Sequence, residues 1–370
     1  MGGCKTHLGG RKPIWVGVKP IWVVVKPTPT LFNLTAMQLV IDTPGVTIRY
    51  HNASFVMEDL NGTKIELSPD KITGIAIKTS DCALYSGAVM LAAEKNIPIL
   101  FFGKYGAVKA TLRSPHFTGL SDLRRRQAMF IFHPEAVPWL VRLFSIKLEG
   151  QLEVLAFLSK SKPDAEKEIL GTMEKMKQMS RGFEEVTAGK VFSHSGEVAA
   201  TLMGIEGSIA REYWGMLSKV MPEEWKFGGR SRRPALDGFN AVLNYLYGMT
   251  YPVVESALFS AGLDPYLGVL HADEYDSPSL AFDCIEPFRP WVDELVLTQF
   301  LNGYVNRDMF TIGEAAEGWS LNHIGKRFWI PLYNDFLKDQ CFFGHKRVKR
   351  ETHIYRFAGE LTLLLKSLNL

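Results

Sequence analysis

The sequence has no uninterrupted apolar run of about 18 residues, the minimum for a membrane-spanning helix, because Lys, Pro or Gly breaks even its most hydrophobic stretches. It therefore predicts a soluble protein. A secretory signal is also lacking, since Lys19, Pro20, Lys26 and Pro27 interrupt the apolar part of the N-terminal stretch and no small-residue cleavage site follows. We expect a protein that is not secreted and that works in the cytoplasm.

Cysteine is scarce. The four cysteines lie far apart, at positions 4, 82, 284 and 341, and no C-x-x-C pair occurs. This spacing disfavours both a disulfide framework and a zinc ribbon, and it fits a reducing compartment. A cytoplasmic enzyme of bacterial or archaeal type is the natural class.

A strong excess of charge is missing as well, since 42 basic against 39 acidic residues give a net charge of +3. That value is too small to indicate a nucleic-acid-binding protein by itself. The basic residues are nevertheless clustered, at 124–126, at Arg230, Arg232 and Arg233, and at Lys346, Arg347, Lys349 and Arg350. One such cluster is usually a solvated surface, but three together favour contact with phosphate groups.

What the sequence does contain is a hydrophobic fraction of 46% over 370 residues, enough for one large core or two ordinary ones. Residues 1–36 differ from the rest, because Lys12-Pro13-Ile14-Trp15-Val16 recurs seven residues later and a third copy begins at Lys26. We interpret this segment as an appendage, translated from repetitive DNA upstream of a start at Met37. The hypothesis predicts that mass spectrometry of the native protein detects no peptide from residues 12–26.

From Met37 the pattern predicts an α+β protein with two domains. Residues 37–117 carry short strand-like runs separated by turn signals such as Asn61-Gly62, with one helix over 80–96. Residues 118–370 show helical periodicity and predict an all-α domain. The expected helices of that domain are 120–132, 138–158, 164–179, 197–216, 235–247, 253–261, 278–300 and 360–368.

Two acidic positions in the helical part fall on apolar surfaces. Glu206 lies on the same helix face as Leu202 and Ile209, so its carboxylate points inward. Burial of a carboxylate is costly unless it is paired or binds a metal. An internal salt bridge to an arginine and a metal ligand are both compatible with this position.

The second acidic position is a pair, Asp283 and Glu286, three residues apart on one helix face. Like charges so close together repel unless they share a cation. Pro287 and Pro290 cannot donate to the carbonyls of Asp283 and Glu286, so the helix is predicted to kink at this pair. A solvated acidic surface with two incidental prolines is the alternative.

His271 follows the apolar run of Gly262–Leu270, where a hydrogen-bonded core histidine is the alternative to a ligand. Together, Glu206, His271 and Glu286 supply two carboxylates and one imidazole, a set suited to Mg²⁺ or Mn²⁺. A cation held there can activate a hydroxyl and neutralise charge on a phosphate. Asp283 would then orient a ligand or act as an auxiliary base.

Four sequence blocks resemble the CRISPR-associated integrase family, the universal nuclease of spacer acquisition. The blocks are Leu202-Met203-Gly204-Ile205-Glu206-Gly207 with Ala210-Arg211 and Tyr213-Trp214, then Arg232-Arg233-Pro234 leading into 240–248, then 262–271, then Asp283-Cys284-Ile285-Glu286-Pro287-Phe288-Arg289-Pro290. The resemblance runs in the same order from about Met37 to the C-terminus. Residues 1–36 are the departure from the family pattern.

The resemblance implies a β-rich dimerisation domain at 37–117 and a catalytic domain at 118–370. It implies metal ligands at Glu206, His271 and Glu286, an additional catalytic acid at Asp283, and Mg²⁺ or Mn²⁺ as the cofactor. It further implies a homodimer that joins a small CRISPR-associated partner dimer and acts on double-stranded and branched DNA. The 3′-hydroxyl ends of captured DNA would attack a phosphodiester of the array. Our candidates for DNA contacts are Arg230, Arg232, Arg233 and Arg289, which can also be counter-ions of the acidic site.

Two other functions remain open from the sequence. A catalytically idle DNA-binding scaffold would keep the acidic cluster for structural reasons, although the complete set of four acidic and imidazole side chains argues against it. A metal-dependent hydrolase of small phosphate esters is the other, and the sequence has neither a glycine-rich P-loop nor an H-x-x-E-H-type motif.

Overall fold

The computed structural model describes residues 24–25, 37–41, 43–103, 108–112, 114, 120–188, 192–270, 277–313 and 317–369. It has β-strands in its N-terminal part and mostly helices thereafter, which confirms the predicted α+β class. Most of the repetitive segment 1–36 lies outside the described residues, except for a two-residue strand. No helix within the described ranges is long and apolar enough to cross a membrane.

The N-terminal part contains two sheets around one helix. Its elements are β1 (Val24–Val25), β2 (Met37–Ile41), β3 (Val46–His51), β4 (Ser54–Glu58), β5 (Lys64–Leu67), β6 (Ile72–Ile77), β7 (Cys82–Leu84), α1 (Ser86–Glu94), β8 (Ile99–Phe102) and β9 (Val108–Leu112). One sheet has the order β1-β2-β6-β8-β9 and the other β5-β4-β3-β7. In the first sheet β2, β6 and β8 run parallel, and these central strands supply buried residues such as Leu39, Ile75 and Ile99. Parallel strands of this kind are buried on both faces, which explains their continuous apolar runs.

The predicted Asn61-Gly62 turn is confirmed. It joins the antiparallel strands β4 and β5, and Gly62 has a φ of +79°, a region open to glycine at no steric cost. The Asp59 Oδ1 atom accepts hydrogen bonds from the backbone amides of Asn61 and Thr63, both at 2.9 Å. These bonds fasten the turn in the way that an Asx-turn does.

The predicted helix over 80–96 begins later than expected. Cys82–Leu84 forms β7, which pairs in parallel with β3, and the helix starts only at Ser86. The amide of Tyr85 donates to the carbonyl of Ile48 at 3.0 Å. Pairing with a strand distant in sequence therefore outweighs the local helical pattern in this segment.

The C-terminal part is built mainly from long helices. Its elements are α2 (Leu120–Phe130), α3 (Ala136–Ser161), α4 (Glu166–Thr187), α5 (Gly196–Val220), α6 (Gly238–Ser260), α7 (Ser279–Ile285), α8 (Arg289–Leu301), β10 (Phe310–Ile312), β11 (Trp319–Leu321), α9 (His323–Lys338), β12 (Gln340–Phe343), β13 (Lys346–Lys349) and α10 (Arg350–Ser367). The hairpins β10–β11 and β12–β13 and the helix α9 are additions to the predicted elements. The two helices expected on either side of residue 250 are one continuous helix, α6.

Helix α6 continues through Pro252 because both of its halves are buried, with residues such as Leu243, Leu246 and Leu258 inaccessible to solvent. Burial of that extent offsets the loss of one backbone hydrogen bond at proline.

The helix predicted over 278–300 is not continuous at the acidic pair Asp283 and Glu286. Helix α7 ends at Ile285, a short 3₁₀ turn covers Glu286–Phe288, and α8 starts at Arg289, so the single kinked helix predicted over 278–300 is interrupted at the position predicted for the kink.

Hydrophobic side chains form two separate clusters. One includes Leu39, Ile48 and Ile99 in the N-terminal part, and the other runs from Leu123 to Leu368 through the helices. The domain boundaries at 36/37 and 117/118 stay predictions, as does the role of the first domain in dimerisation.

Candidate active site

Three elements bring Glu206 and Glu286 together around one lysine. Glu206 lies in the middle of α5, Glu286 starts the 3₁₀ turn between α7 and α8, and Lys147 lies in α3. The Nζ atom of Lys147 is 2.5 Å from Glu206 Oε1 and 2.7 Å from Glu286 Oε2. The structure therefore places two of the three predicted metal ligands at one point, where their carboxylates face a single positive charge.

The other carboxylate oxygen of Glu286, Oε1, is paired with a second cation, the guanidinium of Arg289. The Nε atom of Arg289 lies 2.8 Å from Glu286 Oε1, and its guanidinium also donates to the Tyr251 hydroxyl at 2.8 Å. Burial would raise the pKa of Glu286, but the charges of Arg289 and Lys147 outweigh it and lower the pKa to about 2. Glu286 is thus a carboxylate at any physiological pH, the form in which it can bind a cation.

Lys147 is the residue of this cluster that the sequence analysis missed. Burial disfavours its ammonium, but the negative charges of Glu286 and Glu206 more than compensate, so the pKa of Lys147 is raised. A signal for it exists in the sequence. Lys147 and Gln151 interrupt a helical stripe that is otherwise apolar, at Leu140, Phe144 and Leu155.

Asp283, three residues before Glu286, is completely buried. Its Oδ2 atom accepts hydrogen bonds from the backbone amides of Val269 at 2.7 Å and Leu270 at 3.0 Å. Asp283 and Glu286 are three residues apart, and the contacts of Asp283 with these two amides differ from those of Glu286, which pairs with Lys147 and Arg289. Asp283 anchors the end of the segment that leads to His271.

His271, the third predicted ligand, lies outside the described residues, which stop at Leu270 and resume at Ser277. The segment that precedes His271 is held in place by several hydrogen bonds. Besides the Asp283 contacts, the Ser195 hydroxyl donates to the Val269 carbonyl at 2.8 Å, and the Leu280 amide donates to the Pro265 carbonyl at 2.9 Å. These bonds attach the segment to α5 and α7, the helices adjoining the two carboxylates.

The donor chemistry of the described cluster fits a hard divalent cation. Carboxylate oxygens are the ligands that Mg²⁺ and Mn²⁺ prefer. Glu286 Oε2 is buried and makes no hydrogen bond to the described residues, although it is ion-paired with Lys147. No group of three or more acidic, histidine or cysteine side chains suited to a metal occurs among the described ranges, so a third protein ligand has to come from elsewhere, as His271 would.

A cavity of about 450 Å³ opens beside the two carboxylates. Its charged lining combines Lys147, Arg211, Arg230, Arg232 and Arg289 with Glu206 and Asp293. Trp214 and Tyr247 add aromatic surface. Five basic against two acidic side chains make this cavity suited to an anionic group such as a phosphate.

The predicted DNA-contacting arginines differ in their surroundings. Arg230 is held inside the protein, because its guanidinium donates to Asn240 Oδ1 at 2.9 Å and to Asn244 Oδ1 at 2.7 Å. Burial lowers its pKa, partly offset by nearby acidic groups. Arg232 and Arg233 are exposed, and Arg289 is the counter-ion of Glu286.

Asp293 forms a buried cluster at the wall of the cavity, which the sequence analysis missed. The hydroxyls of Tyr247 and Tyr213 both donate to its carboxylate, the latter at 3.2 Å. Burial raises the pKa of Asp293 to about 6. The cation of Arg289 lies over the ring of Tyr247, 4.7 Å from its centroid, so the same tyrosine connects the buried acid to the partner of Glu286.

The fold, a β-rich part followed by a helical part, is shared with solved CRISPR-associated proteins. The family described as CRISPR associated protein Cas1 matches residues 39–335, which is more than half of the chain. The chain belongs to the Cas1 family. This establishes the resemblance seen in the sequence blocks.

Individual relatives agree with that assignment. The CRISPR-associated endonuclease Cas1 1 of Archaeoglobus fulgidus is 29% identical over 272 residues, which cover 72% of this chain and 78% of the relative. A solved casposase bound to an integration product has a TM-score of 0.71 at 23% identity, covering 89% of this chain and 95% of its own. A chain of a partial Cas6-RT-Cas1–Cas2 complex has a TM-score of 0.66 at 20% identity, covering 90% and 96%. At such identities the two structures establish the shared fold.

Proposed function

We propose that this protein is a metal-dependent DNA endonuclease and integrase of CRISPR adaptation. In this role it inserts captured DNA into a CRISPR array by attack of a 3′-hydroxyl on a phosphodiester. The observation that carries the proposal is the convergence of Glu206 and Glu286 on one cation position beside a basic cavity. The relatives named endonuclease and the casposase bound to an integration product support it.

Glu206, Glu286 and His271 would hold Mg²⁺ or Mn²⁺, which would neutralise charge on the phosphate and lower the pKa of the attacking hydroxyl. The protein's own contribution is to keep Glu286 ionised and to hold the ligands in place. Arg289 and the 3₁₀ turn fix Glu286, since the guanidinium binds one carboxylate oxygen and leaves the other paired with Lys147, which also binds Glu206. Asp283 holds the segment that precedes His271 by accepting hydrogen bonds from the backbone amides of Val269 and Leu270.

The reaction exchanges one phosphodiester for another, so it needs alignment and charge neutralisation more than a driving force. The basic side chains of the cavity meet that need. Arg230 is preorganised by Asn240 and Asn244, so it can bind a phosphate with little loss of side-chain entropy. Arg232 and Arg233, exposed at the rim, would add contacts to the DNA backbone.

The substrate in this proposal is double-stranded and branched DNA. The partners are a second copy of the chain, joined through the β-rich domain, and a small Cas2-type dimer. The solved Cas1–Cas2 complexes with this fold support a Cas2-type partner. The separate hydrophobic core of the N-terminal sheets supports an independent domain that can serve dimerisation.

The test compares strand transfer and cleavage on branched and duplex DNA, with Mg²⁺ or Mn²⁺, for the wild type, Glu206→Gln and His271→Ala. Glu212→Gln is the matched control, since Glu212 lies on the same helix but pairs with exposed Lys175 at 2.7 Å. DNA binding is measured separately. We expect the first two variants to bind DNA and to lose at least a factor of 10³ in metal-dependent activity, with the control unchanged.

If Glu206→Gln and His271→Ala keep their activity, the acidic cluster is structural and the proposed metal site is wrong. If the wild type binds DNA but shows no metal-dependent activity, the idle scaffold is the correct function. A parallel assay with small phosphate esters tests the remaining alternative, a metal-dependent hydrolase of such esters. Turnover of these esters at rates matching those on DNA would point to a general phosphoesterase instead.

A further inference from the structure

The ammonium of Lys147 lies where a cation shared by Glu206 and Glu286 would lie. It is within 2.7 Å of an oxygen of each carboxylate, and those two oxygens belong to different segments of the fold. The second oxygen of Glu286 is already bound by Arg289, so Oε2 is the atom left for another cation. Lys147 thus holds the two oxygens that the proposed metal site needs.

A divalent cation and this ammonium compete for the same place. Mg²⁺ binds carboxylate oxygens at about 2.0–2.1 Å, so a metal ion on both inner oxygens has to lie between them. Two cations a few ångströms apart in a buried site repel strongly, because little solvent screens them. The metal and the ammonium therefore cannot both occupy the space between the carboxylates.

The cavity beside Lys147 provides space for its ammonium when the metal displaces it. Lys147 and Asp293 both line the cavity of about 450 Å³. A lysine side chain has four rotatable bonds and can turn its ammonium away while its stem stays packed. Withdrawal into this cavity would leave the charge next to Asp293 and solvent.

We propose that Lys147 is an internal substitute for the divalent cation. It holds Glu206 and Glu286 at binding distance in the metal-free protein, and it has to withdraw when the metal binds. This inference rests on the metal site of the proposed function. Its consequence is that Lys147 preorganises the carboxylates and at the same time weakens metal affinity, which makes it a positioning residue.

The experiment measures Mn²⁺ binding to the full chain by electron paramagnetic resonance of free Mn²⁺, together with thermal unfolding with and without Mn²⁺. Lys147→Met keeps the length of the side chain and removes its charge. Lys175→Met is the matched control, because Lys175 forms an exposed pair with one carboxylate, Glu212, away from the cavity. Glu206→Gln tests whether the Mn²⁺ observed is bound at this site.

We expect Lys147→Met to bind Mn²⁺ at least 10-fold more tightly than the wild type. Without metal it should melt at a lower temperature, because the two carboxylates lose a shared cation, and Mn²⁺ should raise its Tm by more than it raises that of the wild type. Lys175→Met should bind Mn²⁺ as the wild type does. If Lys147→Met does not fold, Lys147→Gln takes its place in the same measurements of Mn²⁺ affinity and thermal unfolding. Glutamine is uncharged but retains a polar side chain.

Unchanged or weaker Mn²⁺ affinity in the neutral variants overturns the proposal for Lys147. That result is distinguishable from failure of the proposed function. If Glu206→Gln loses Mn²⁺ while Lys147→Met binds it as the wild type does, only the role of Lys147 is wrong. If the wild type and Glu206→Gln bind Mn²⁺ identically, the metal site itself is wrong and both proposals fall.

Discussion

The carboxylate of Asp283 accepts a hydrogen bond from the backbone amide of Val269 at 2.7 Å, and a second one from Leu270 at 3.0 Å. Backbone amides that lose a buried acceptor cost about 1–3 kcal/mol. Asp283→Ala should therefore lower the free energy of unfolding by about that amount and reduce strand transfer by at least 10-fold, since the segment before His271 is released. DNA binding should be retained. Chemical denaturation and a strand-transfer assay check both expectations.

Asp283→Asn is the control that separates anchoring from proton transfer. The asparagine side-chain oxygen can still accept from the amides, so we expect most of the stability and activity to survive in this variant. If the alanine and asparagine variants are equally inactive while both remain stable, Asp283 acts as an acid or base and the anchoring role is insufficient.

The buried Asp293 makes stability depend on pH. Its pKa is raised from 3.8 to about 6, so the folded protein holds this proton more tightly than the unfolded chain does. The stability it contributes is fully present below pH 4 and is lost as pH rises through 6. The wild type should therefore lose about 2 kcal/mol relative to Asp293→Asn between pH 4 and pH 6.5, which is most of the shift at 1.36 kcal/mol per pKa unit.

Urea denaturation of both proteins across that pH range measures the difference directly. Titrating groups that do not interact with Asp293 contribute equally in both proteins, so their contributions cancel in the comparison. Parallel stability curves for the wild type and Asp293→Asn would show that Asp293 is ionised throughout this range in the folded protein.

Arg230 and Arg232 should respond differently to replacement by alanine. Arg230 is fixed by Asn240 and Asn244, so Arg230→Ala should cost about 1–3 kcal/mol of stability by removing two hydrogen bonds made by a charged donor. Arg232 is exposed, so Arg232→Ala should change stability by less than about 0.5 kcal/mol. If Arg232 contacts a phosphate, the slope of log affinity for duplex DNA against log salt should fall by about 0.9.

The measurements are DNA binding at several salt concentrations and thermal unfolding of each variant. An unchanged salt slope in Arg232→Ala means that this arginine does not contact phosphate. A fully stable Arg230→Ala would show that the two asparagines find other partners.

Gly268 lies where a side chain cannot be accommodated. A Cβ atom there would lie 2.6 Å from Ser279 Cβ and 3.1 Å from the Ser279 carbonyl carbon, at the start of α7. Gly268→Ala should lower the free energy of unfolding by about 1–3 kcal/mol, as overpacking does. It should also reduce activity, because it displaces the segment that precedes His271. Thermal unfolding and strand transfer check this.

Gly248→Ala is the matched control. Gly248 is exposed within α6, and a Cβ there would meet no atom within 4 Å. Replacement of a helical glycine by alanine should stabilise the protein by about 0.5–1 kcal/mol and leave activity unchanged. Equal stability of the two variants would mean that the segment at Gly268 can move without cost.

Much of the fold could be predicted from the sequence because the relevant signals are local. Strand alternation, the turn at Asn61-Gly62 and the helical stripes of α3 and α5 depend on neighbours within a few residues. The break at Pro287 was predictable for the same reason, since proline affects the carbonyl four residues before it. The hairpin β12–β13 was harder to predict, because its strands are short and read as a basic cluster rather than as an alternating pattern.

The candidate site was predictable in part. The sequence by itself determined that Glu206 points inward, that the helix breaks at Glu286, and that a histidine follows the run ending at Leu270, since helix periodicity and proline chemistry act over a few residues. Only the tertiary structure decided that Lys147 lies between the two carboxylates, that Asp283 anchors the segment before His271, and that two tyrosines surround Asp293. Lys147 and Glu206 are 59 residues apart, and Tyr213 and Asp293 are 80 apart. Contacts over such separations follow from how whole helices pack, which no local pattern of side chains encodes.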